Sequence, residues 1–200
     1  MQRIEKIDSL VIRQKMEWGE ALTGFETANK YTVLDPNGQE LYYAAEVGGS
    51  FLSRNFLKSM RPFTIQLMDG QGNTVLRIER PWRWIFHEVS VYDGSGEMLG
   101  TVKKRWSWVR RLYFVVDARG NEIFELFGPI LRPWTFEIRA GGIEVGAIRK
   151  KWSGLGKEIS TDADNFGVQW PADLDVNSKA ILLGAVFLID FAHFEDNQKR

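Results

Sequence analysis

Three segments of this 200-residue chain place basic and aromatic side chains side by side, a combination suited to binding phosphate-bearing surfaces. They are residues 77–84, 103–111 and 149–152. The densest segment supplies the residues predicted to bind lipid: Lys103, Lys104, Arg105, Trp106, Trp108, Arg110 and Arg111. Indole rings favour the headgroup level of a bilayer, and each cation contributes about 1 kcal/mol near an anionic surface. Two alternatives stay open: stacking on nucleic-acid bases, or strand ends whose tryptophans cap a core while the cations remain in water.

Residues for bond-making chemistry are scarce in this sequence. There is no cysteine, and His87 and His193 are the two histidines, so thiolate chemistry is excluded and a histidine metal site or triad has few members. Nucleophile-elbow, phosphate-loop and zinc-protease motifs are absent. Asp190 and His193 lie three positions apart and could pair as an acid–base dyad; the alternative is a satisfied polar plug at the end of a buried helix. The sequence therefore predicts a protein that is not an enzyme.

The overall charge limits the partners that this chain can attract. Its 26 basic and 26 acidic residues cancel, so attraction to an anionic surface must come from local patches, and nucleic acid is disfavoured as a partner. The first ten residues lack the apolar core of a secretory signal. We expect a monomer that is cytoplasmic or peripherally membrane-associated and not secreted, with a protein partner as a further option.

Short apolar alternating segments, separated by turn motifs, dominate the chain from about residue 10 to residue 171. Turn motifs follow one another at 35–38, 69–72, 93–96, 117–120 and 141–142, and most combine a leading Asp with a closing Gly. Asp and Gly at these positions favour tight turns between antiparallel strands. The pattern predicts a meander of five hairpins with ten to twelve strands, and a short helix over residues 51–58.

A wholly apolar segment follows these strands. Between Ala180 and Ile189 there are ten residues without a polar side chain. A helix that is apolar all round is buried in a protein core or in a bilayer, and its length favours the core. A sheet of about twelve strands tends to close, and the resulting lumen is too wide for the wall's own side chains. The sequence therefore predicts one all-β domain over residues 1–200: a closed twelve-stranded β-barrel around a buried C-terminal helix at about 175–195.

Several motifs resemble those of the phospholipid scramblase family. They are residues 61–63 (RPF), 128–129 (GP), 150–154 (KKWSG), 161–171 (TDADNFGVQWP), 173–175 (DLD) and 187–191 (FLIDF). The similarity covers nearly the whole chain and is densest over residues 148–195. It implies a tubby-like fold, with twelve strands around a central C-terminal helix, and it implies calcium-stimulated, ATP-independent movement of phospholipids between leaflets.

The resemblance also implies a calcium loop at residues 162–173, with ligands at Asp162, Asp164, Phe166, Val168 and Asp173. An EF-hand loop needs oxygen ligands at alternating positions and a bidentate Glu at its end. Asp162, Asp164 and Asp173 can supply carboxylates and Val168 a carbonyl, whereas Phe166 offers no side-chain oxygen. The expected Ca²⁺ site is therefore weak. The alternative is a turn, then a last strand over 166–170, then Asp173 or Asp175 as the N-cap of the helix.

Two functions follow as hypotheses from the resemblance and from the residues. The first is a scramblase-like protein that acts on membrane phospholipids without bond chemistry. The second is a soluble tubby-like module that binds anionic lipid, such as a phosphoinositide, or a protein partner, without moving lipid. They differ in whether the protein transports lipid or only binds it.

Overall fold

The computed structural model describes residues 1–15, 30–47, 62–82, 87–107, 111–150 and 165–193. Within them the chain forms a closed antiparallel β-barrel of twelve strands and one long α-helix, as predicted. The strands are β1 (Ser9–Lys15), β2 (Lys30–Leu34), β3 (Glu40–Val47), β4 (Phe63–Met68), β5 (Thr74–Arg80), β6 (Glu88–Asp93), β7 (Met98–Arg105), β8 (Arg111–Asp117), β9 (Glu122–Gly128), β10 (Thr135–Ala140), β11 (Ile143–Lys150) and β12 (Asn165–Gln169). The helix, α1, spans Val176–His193 at the C-terminal side of the barrel strands. A short 3-10 turn, Gln2–Ile4, precedes β1.

Each strand pairs with its neighbours in sequence, and β1 closes the barrel by pairing with β12 as well as with β2. In this closure Val11 lies opposite Gly167 on one side and Leu34 on the other. Closure leaves no open strand edge, which removes the usual template for aggregation. The two ends of the barrel differ. We call the end with the tight turns the hairpin end, and the opposite end, where β5, β7, β9 and β11 finish, the loop end.

Four turns at the hairpin end share one structure, and the turn at Asp69 illustrates it. The Asp69 Oδ1 accepts hydrogen bonds from the backbone N–H groups of Gln71 at 2.9 Å and Asn73 at 3.0 Å. Gly72 closes the turn with a φ of 85°, a conformation that costs glycine little. The same pattern recurs at Asp35, Asp93 and Asp117. The turns predicted from Asp and Gly spacing are confirmed, and they fix the strand registers.

Helix α1 fills the barrel along its axis. Asp175 is its N-cap, with Oδ1 accepting from the backbone N–H of Ser178 at 2.9 Å, so one of the two N-caps considered is confirmed. The residues from Ser178 to Phe191 are buried on every side of the helix, which explains the absence of a polar stripe. Gly184 lies so close to the wall that an added Cβ would sit 2.6 Å from Cγ2 of Val91. The sequence prediction of a core helix inside a barrel is therefore confirmed.

Lys179 anchors the start of the helix at the hairpin end. Its side chain is fully buried, and its ammonium group donates to the carbonyl oxygens of Ile4 at 3.3 Å, Glu5 at 2.7 Å and Ala172 at 2.8 Å. All three donors of a lysine are thereby satisfied. Trp170 adds a bond from its Nε1 to the carbonyl of Ile7 at 2.8 Å. The N-terminal segment is thus tied across the base of the helix, although burial lowers the pKa of Lys179.

Some sequence predictions fall on other parts of the chain. The short helix predicted at residues 51–58 lies outside the described residues, as do residues 151–164, which precede β12. Within the described residues, Val176–His193 is one helix whose length and apolar content would suit a membrane span, and 78% of that window is buried in the barrel. Burial inside the barrel is sufficient to explain why this helix is apolar.

Candidate functional site

The described part of the basic and aromatic segment, residues 103–107 and 111, lies at the loop end of the barrel, but strand alternation divides the residues of β7 between two faces. Gly100 faces inward, since a Cβ there would meet Cδ1 of Ile181 on the helix at 2.6 Å. Residues two and four positions further along β7 share that face. Lys104 is therefore turned towards the interior, whereas Lys103 and Arg105 are on the outer wall and exposed. Among the described residues of β7, the predicted lipid-binding lysines and arginine therefore lie on two faces of the strand.

The environments of these cations match that division. Burial, followed by the nearby charge of Arg80, lowers the pKa of Lys104. On the outer wall, the exposed Lys103 ammonium lies 4.0 Å from the carboxylate of the partly buried Glu88, and such a long ion pair contributes little stability. The Arg105 guanidinium lies 5.1 Å from the centroid of the Phe114 ring. Lys103 and Arg105 are consequently the two described strand residues of this segment that can approach an external anionic surface.

Arg111, at the start of β8, has a structural task at the same end. Its guanidinium donates to the carbonyl oxygens of Pro133 at 2.6 Å, Pro129 at 3.2 Å and Arg132 at 3.3 Å. It also lies 4.6 Å from the centroid of the Phe136 ring, and burial lowers its pKa. Arg111 therefore positions the connection between β9 and β10. Among the other residues predicted here, Trp106 is 62% exposed, and Trp108 and Arg110 lie outside the described residues.

A polar layer beneath the loop end holds the last turns of α1. The Tyr31 hydroxyl donates to Oδ2 of Asp190 at 3.0 Å, and the Tyr113 hydroxyl lies 2.7 Å from Nε2 of His193. Each member of the predicted Asp190–His193 pair thus has a tyrosine partner on the barrel wall. Burial lowers the pKa of His193 to about 3, with Arg111 and Lys104 adding to the effect, so the ring that shares this hydrogen bond is neutral. This arrangement corresponds to the polar plug described as the alternative to a dyad.

His87 and Arg80 extend this layer, and sequence inspection did not find them as a pair. The Arg80 guanidinium contacts Nδ1 of His87. Burial, then the charges of Arg80 and Lys104, lowers the pKa of His87 to about 4. Arg80 is 4% exposed and lies 5.8 Å from the centroid of the Phe63 ring. Alternation along β5 and β8 would have indicated that Arg80 and Tyr113 face inward, but not that they share one layer.

Three of the five predicted calcium ligands lie among the described residues. Phe166 and Val168 lie in β12, whose strand prediction is confirmed, and both are buried. Asp173 precedes the N-cap Asp175, while Asp162 and Asp164 lie outside the described residues. In the parts of the chain that the structure describes, no three histidine or carboxylate side chains are grouped so that they could hold a metal ion. Calcium binding by Asp162 and Asp164 stays a prediction.

Comparison with known proteins adds an independent line of information to this geometry. The Scramblase family model matches residues 1–196. The chain is 37% identical to phospholipid scramblase 2 of Bos taurus over 209 aligned positions, which cover 98% of this chain and 71% of the relative. This chain belongs to the scramblase family. It is also 36% identical to phospholipid scramblase 1 of Homo sapiens, of which it spans 65%, and to phospholipid scramblase 1 of Mus musculus, of which it spans 63%.

The scramblase-family barrel also has a counterpart among solved structures. An X-ray structure of a protein from Arabidopsis thaliana superimposes with a TM-score of 0.55 and covers 94% of this chain and 96% of its own. The two sequences are 14% identical, so this likeness concerns the fold alone. The family predicted from the sequence motifs is confirmed by the family model that matches residues 1–196. The described residues of the three basic and aromatic segments, 77–82, 103–107, 111 and 149–150, lie towards the loop end of the barrel.

Proposed function

We propose that this chain moves phospholipids between the two leaflets of a membrane, without ATP and without making or breaking a covalent bond. The observation that carries the proposal is membership of the scramblase family along residues 1–196. The loop end supports it, because Lys103, Arg105 and the exposed Trp106 combine cations with an indole. That combination suits the headgroup region of an anionic bilayer. The protein would then be peripherally membrane-associated.

The buried helix limits how lipid movement can occur. While α1 fills the barrel, it cannot also cross a bilayer, so lipid movement starts from docking of the barrel on the membrane surface. In this mechanism the outward cations Lys103 and Arg105 hold lipid phosphate, and indoles at the headgroup level disturb lipid packing. Arg111, which donates to three carbonyls, keeps the neighbouring connection in place. Local disturbance of one leaflet lowers the barrier for a headgroup to cross.

The direct test is a leaflet-exchange assay in vesicles that contain a fluorescent phospholipid. A membrane-impermeant reductant bleaches probe in the outer leaflet, so bleaching of the inner pool reports lipid movement. We expect inner-pool bleaching in the absence of ATP with this protein and not with protein-free vesicles. Vesicle leakage is excluded in parallel with an encapsulated dye. Binding to vesicles without any bleaching of the inner pool would contradict the proposal.

The outward cations are tested separately from the inward one. We expect replacement of both Lys103 and Arg105 by Ser to weaken co-sedimentation with phosphatidylserine vesicles at low salt. The effect should fade at high salt, because the Debye length falls to about 3 Å at 1 M. Lys104→Ser is the matched control, since Lys104 faces the interior. An equal loss of binding in the control, or binding by the double variant that equals the unmodified protein, would show that the outer wall is not the lipid-binding face.

Calcium stimulation is the finer part of the proposal. Asp162, Asp164 and Asp173 would supply carboxylates, and Val168 a carbonyl, to a loop that lacks a side-chain oxygen at Phe166. We therefore propose weak binding, with a dissociation constant of about 10⁻⁴ to 10⁻³ M. Isothermal titration of the protein and of Asp164→Ala measures it. A micromolar site that is lost in Asp164→Ala would contradict the weak-site proposal. Equal calcium affinity in the two proteins would show that Asp164 is not a ligand.

The second candidate is a module that binds anionic lipid, including phosphoinositide, or a protein partner, without moving lipid. The burial of α1 from Ser178 to Phe191 favours it, because the barrel already shields the apolar residues of the helix from water. The leaflet-exchange assay separates the two candidates. Tight vesicle binding together with an unbleached inner pool is the outcome that this second function predicts.

A further inference from the structure

The connection between β9 and β10 is built from two successive tight turns. The backbone N–H of Arg132 donates to the carbonyl of Pro129 at 3.2 Å, and that of Thr135 donates to the carbonyl of Arg132 at 3.1 Å. Ile130 and Leu131 are therefore the two central residues of the first turn. Those positions favour Pro, Asn, Asp or Gly, and in the four Asp turns of the hairpin end they hold small or polar residues and no large aliphatic one. Two bulky aliphatic residues at a turn corner require another explanation.

The connection is held rigidly in place from two sides. Arg111 binds the carbonyls of Pro129, Arg132 and Pro133, so it fixes the backbone before and after the turn. The Arg132 guanidinium contacts the buried carboxylate of Glu137, which also accepts from Arg139. These contacts fix the backbone that carries Ile130 and Leu131. Binding of a partner therefore costs less backbone entropy than it would cost a mobile loop.

The two aliphatic side chains project into solvent at the loop end. Leu131 is 94% exposed and Ile130 is 62% exposed. Among the described residues, the indoles of Trp82, Trp106 and Trp134 are also exposed at this end. Exposed aliphatic side chains at the same end as exposed tryptophans suit a membrane interface, where aliphatic groups reach the hydrocarbon and indoles stay at the headgroups.

The distribution of charge between the two ends of the barrel favours binding to an anionic bilayer. Although the chain has no net charge, the hairpin end carries the aspartates of its turns, at positions 35, 69, 93 and 117. The loop end carries the exposed cations Lys103 and Arg105 on the outer wall. An anionic surface therefore attracts the loop end and repels the hairpin end. Electrostatics thus orient the molecule with Ile130 and Leu131 towards an anionic membrane.

We propose that residues 129–134 form a membrane-inserting tip, with Ile130 and Leu131 entering the hydrocarbon boundary of an anionic phospholipid bilayer. The partner follows from the proposed function, in which a phospholipid membrane is the substrate, but the tip does not depend on lipid movement. Arg111 is a positioning residue, because it acts through the backbone of the connection. The cations draw the loop end to the surface, and the tip provides the attachment that salt does not screen.

The chain has no cysteine, so a single introduced cysteine gives a site-specific probe. Leu131→Cys, labelled with a polarity-sensitive dye, should show a blue-shifted and brighter emission on vesicles of phosphatidylserine and phosphatidylcholine. Lipids that carry a quencher in the acyl chain should quench it. The matched control is Ile143→Cys at the hairpin end, because Ile143 is an aliphatic residue that is 71% exposed. We expect no spectral change for the control. No change for the label at position 131, or equal changes at both positions, overturns the proposal.

Binding of unlabelled variants gives a second measurement. Leu131→Ser should lower the vesicle partition coefficient at least about tenfold, as expected for withdrawing one fully exposed leucine from the hydrocarbon boundary. Ile143→Ser should leave it unchanged, and the loss for Leu131→Ser should persist at high salt. Unchanged partition for Leu131→Ser, or a loss that salt abolishes, overturns the proposal.

The two proposals fail independently in these assays. If the protein binds vesicles through Leu131 but the reductant does not reach the inner lipid pool, the membrane-inserting tip is supported and lipid movement is contradicted. If Leu131→Ser leaves both the bleaching of the inner pool and the vesicle partition coefficient unchanged, the membrane-inserting tip is contradicted and lipid movement is not. Capture of the tip by another protein, with no vesicle-dependent change of the label at position 131, overturns the membrane as the partner.

Discussion

Gly184 lets helix α1 lie directly against the barrel wall, and its replacement by alanine tests whether that contact is as tight as the geometry indicates. An added Cβ would lie 2.6 Å from Cγ2 of Val91 and 3.9 Å from Ile78. Carbon atoms in good contact are about 3.5 to 4.0 Å apart, so the overlap with Val91 is about 1 Å, while the contact with Ile78 is normal. The strain is therefore confined to one pair of residues.

Val91 cannot easily move away from the helix. It is a β-branched residue with a stiff side chain, it is fully buried, and its strand is paired on both sides, opposite Ile78 and Gly100. Overpacking of this kind costs about 1 to 3 kcal/mol, whereas Gly→Ala inside a helix gains about 1 kcal/mol. We expect Gly184→Ala to lower the free energy of unfolding by about 1 kcal/mol, since the first effect is larger.

The same substitution should reverse its sign when Val91 is shortened. In a Val91→Ala background the clash is absent and the helix gain remains, so Gly184→Ala should stabilise by roughly 1 kcal/mol. Urea unfolding of the four proteins measures this through the transition midpoints at unchanged slope. A coupling energy below about 0.5 kcal/mol would mean that the two sites act independently and would refute the tight-contact argument.

Three further predictions concern side chains of the helix. Leu183→Ala should lower the free energy of unfolding by about 2 to 5 kcal/mol, because Leu183 is fully buried; a loss below about 1 kcal/mol in urea titration would contradict burial. Lys179→Met should cost at least about 2 kcal/mol, because three carbonyls lose their donor, and a stability equal to the unmodified protein would show that water replaces the ammonium. The pKa of His193 is lowered from 6.5 to about 3, so as pH falls below about 6.5 the unfolded chain binds the proton first and stability decreases. His193→Gln should make stability, measured as the urea midpoint, less dependent on pH between about 6.5 and 3, and an unchanged pH dependence would contradict the assignment.

The parts of the fold that the sequence predicted well depend on short-range signals. A turn such as 69–72 is specified by an Asp that binds the backbone two and four residues later and by a Gly with positive φ, all within five positions. The strands that flank it follow from alternating apolar residues. Helix α1 was predicted from an apolar segment too short for a typical span and apolar on all sides. These features required no knowledge of distant contacts.

The parts that the sequence did not reveal depend on residues that are far apart in the chain. Lys179 precedes the apolar segment, and its partners include Ile4, 175 positions away. Arg111 was predicted to bind lipid because it lies in a basic segment, but its hydrogen bonds reach Pro133, 22 positions further on. The inward orientation of Lys104 differs from these cases, because strand alternation from Gly100 would have indicated it without knowledge of distant contacts.

The positions of the buried polar groups bear on whether α1 leaves the barrel for a bilayer. Lys179 and Asp190 are eleven residues apart, so at about 1.5 Å per residue the apolar helix between them is about 16 Å long. The hydrocarbon core of a bilayer is about 30 Å thick, so a spanning α1 would hold at least one of these groups inside it, at a cost of about 2.5 to 3.5 kcal/mol for a charged residue near the centre. In the barrel both have partners: Lys179 has three carbonyls, and Asp190 has the Tyr31 hydroxyl. The helix is therefore matched in length and polarity to the barrel rather than to a membrane, in agreement with the proposal that the loop end, and not α1, contacts lipid.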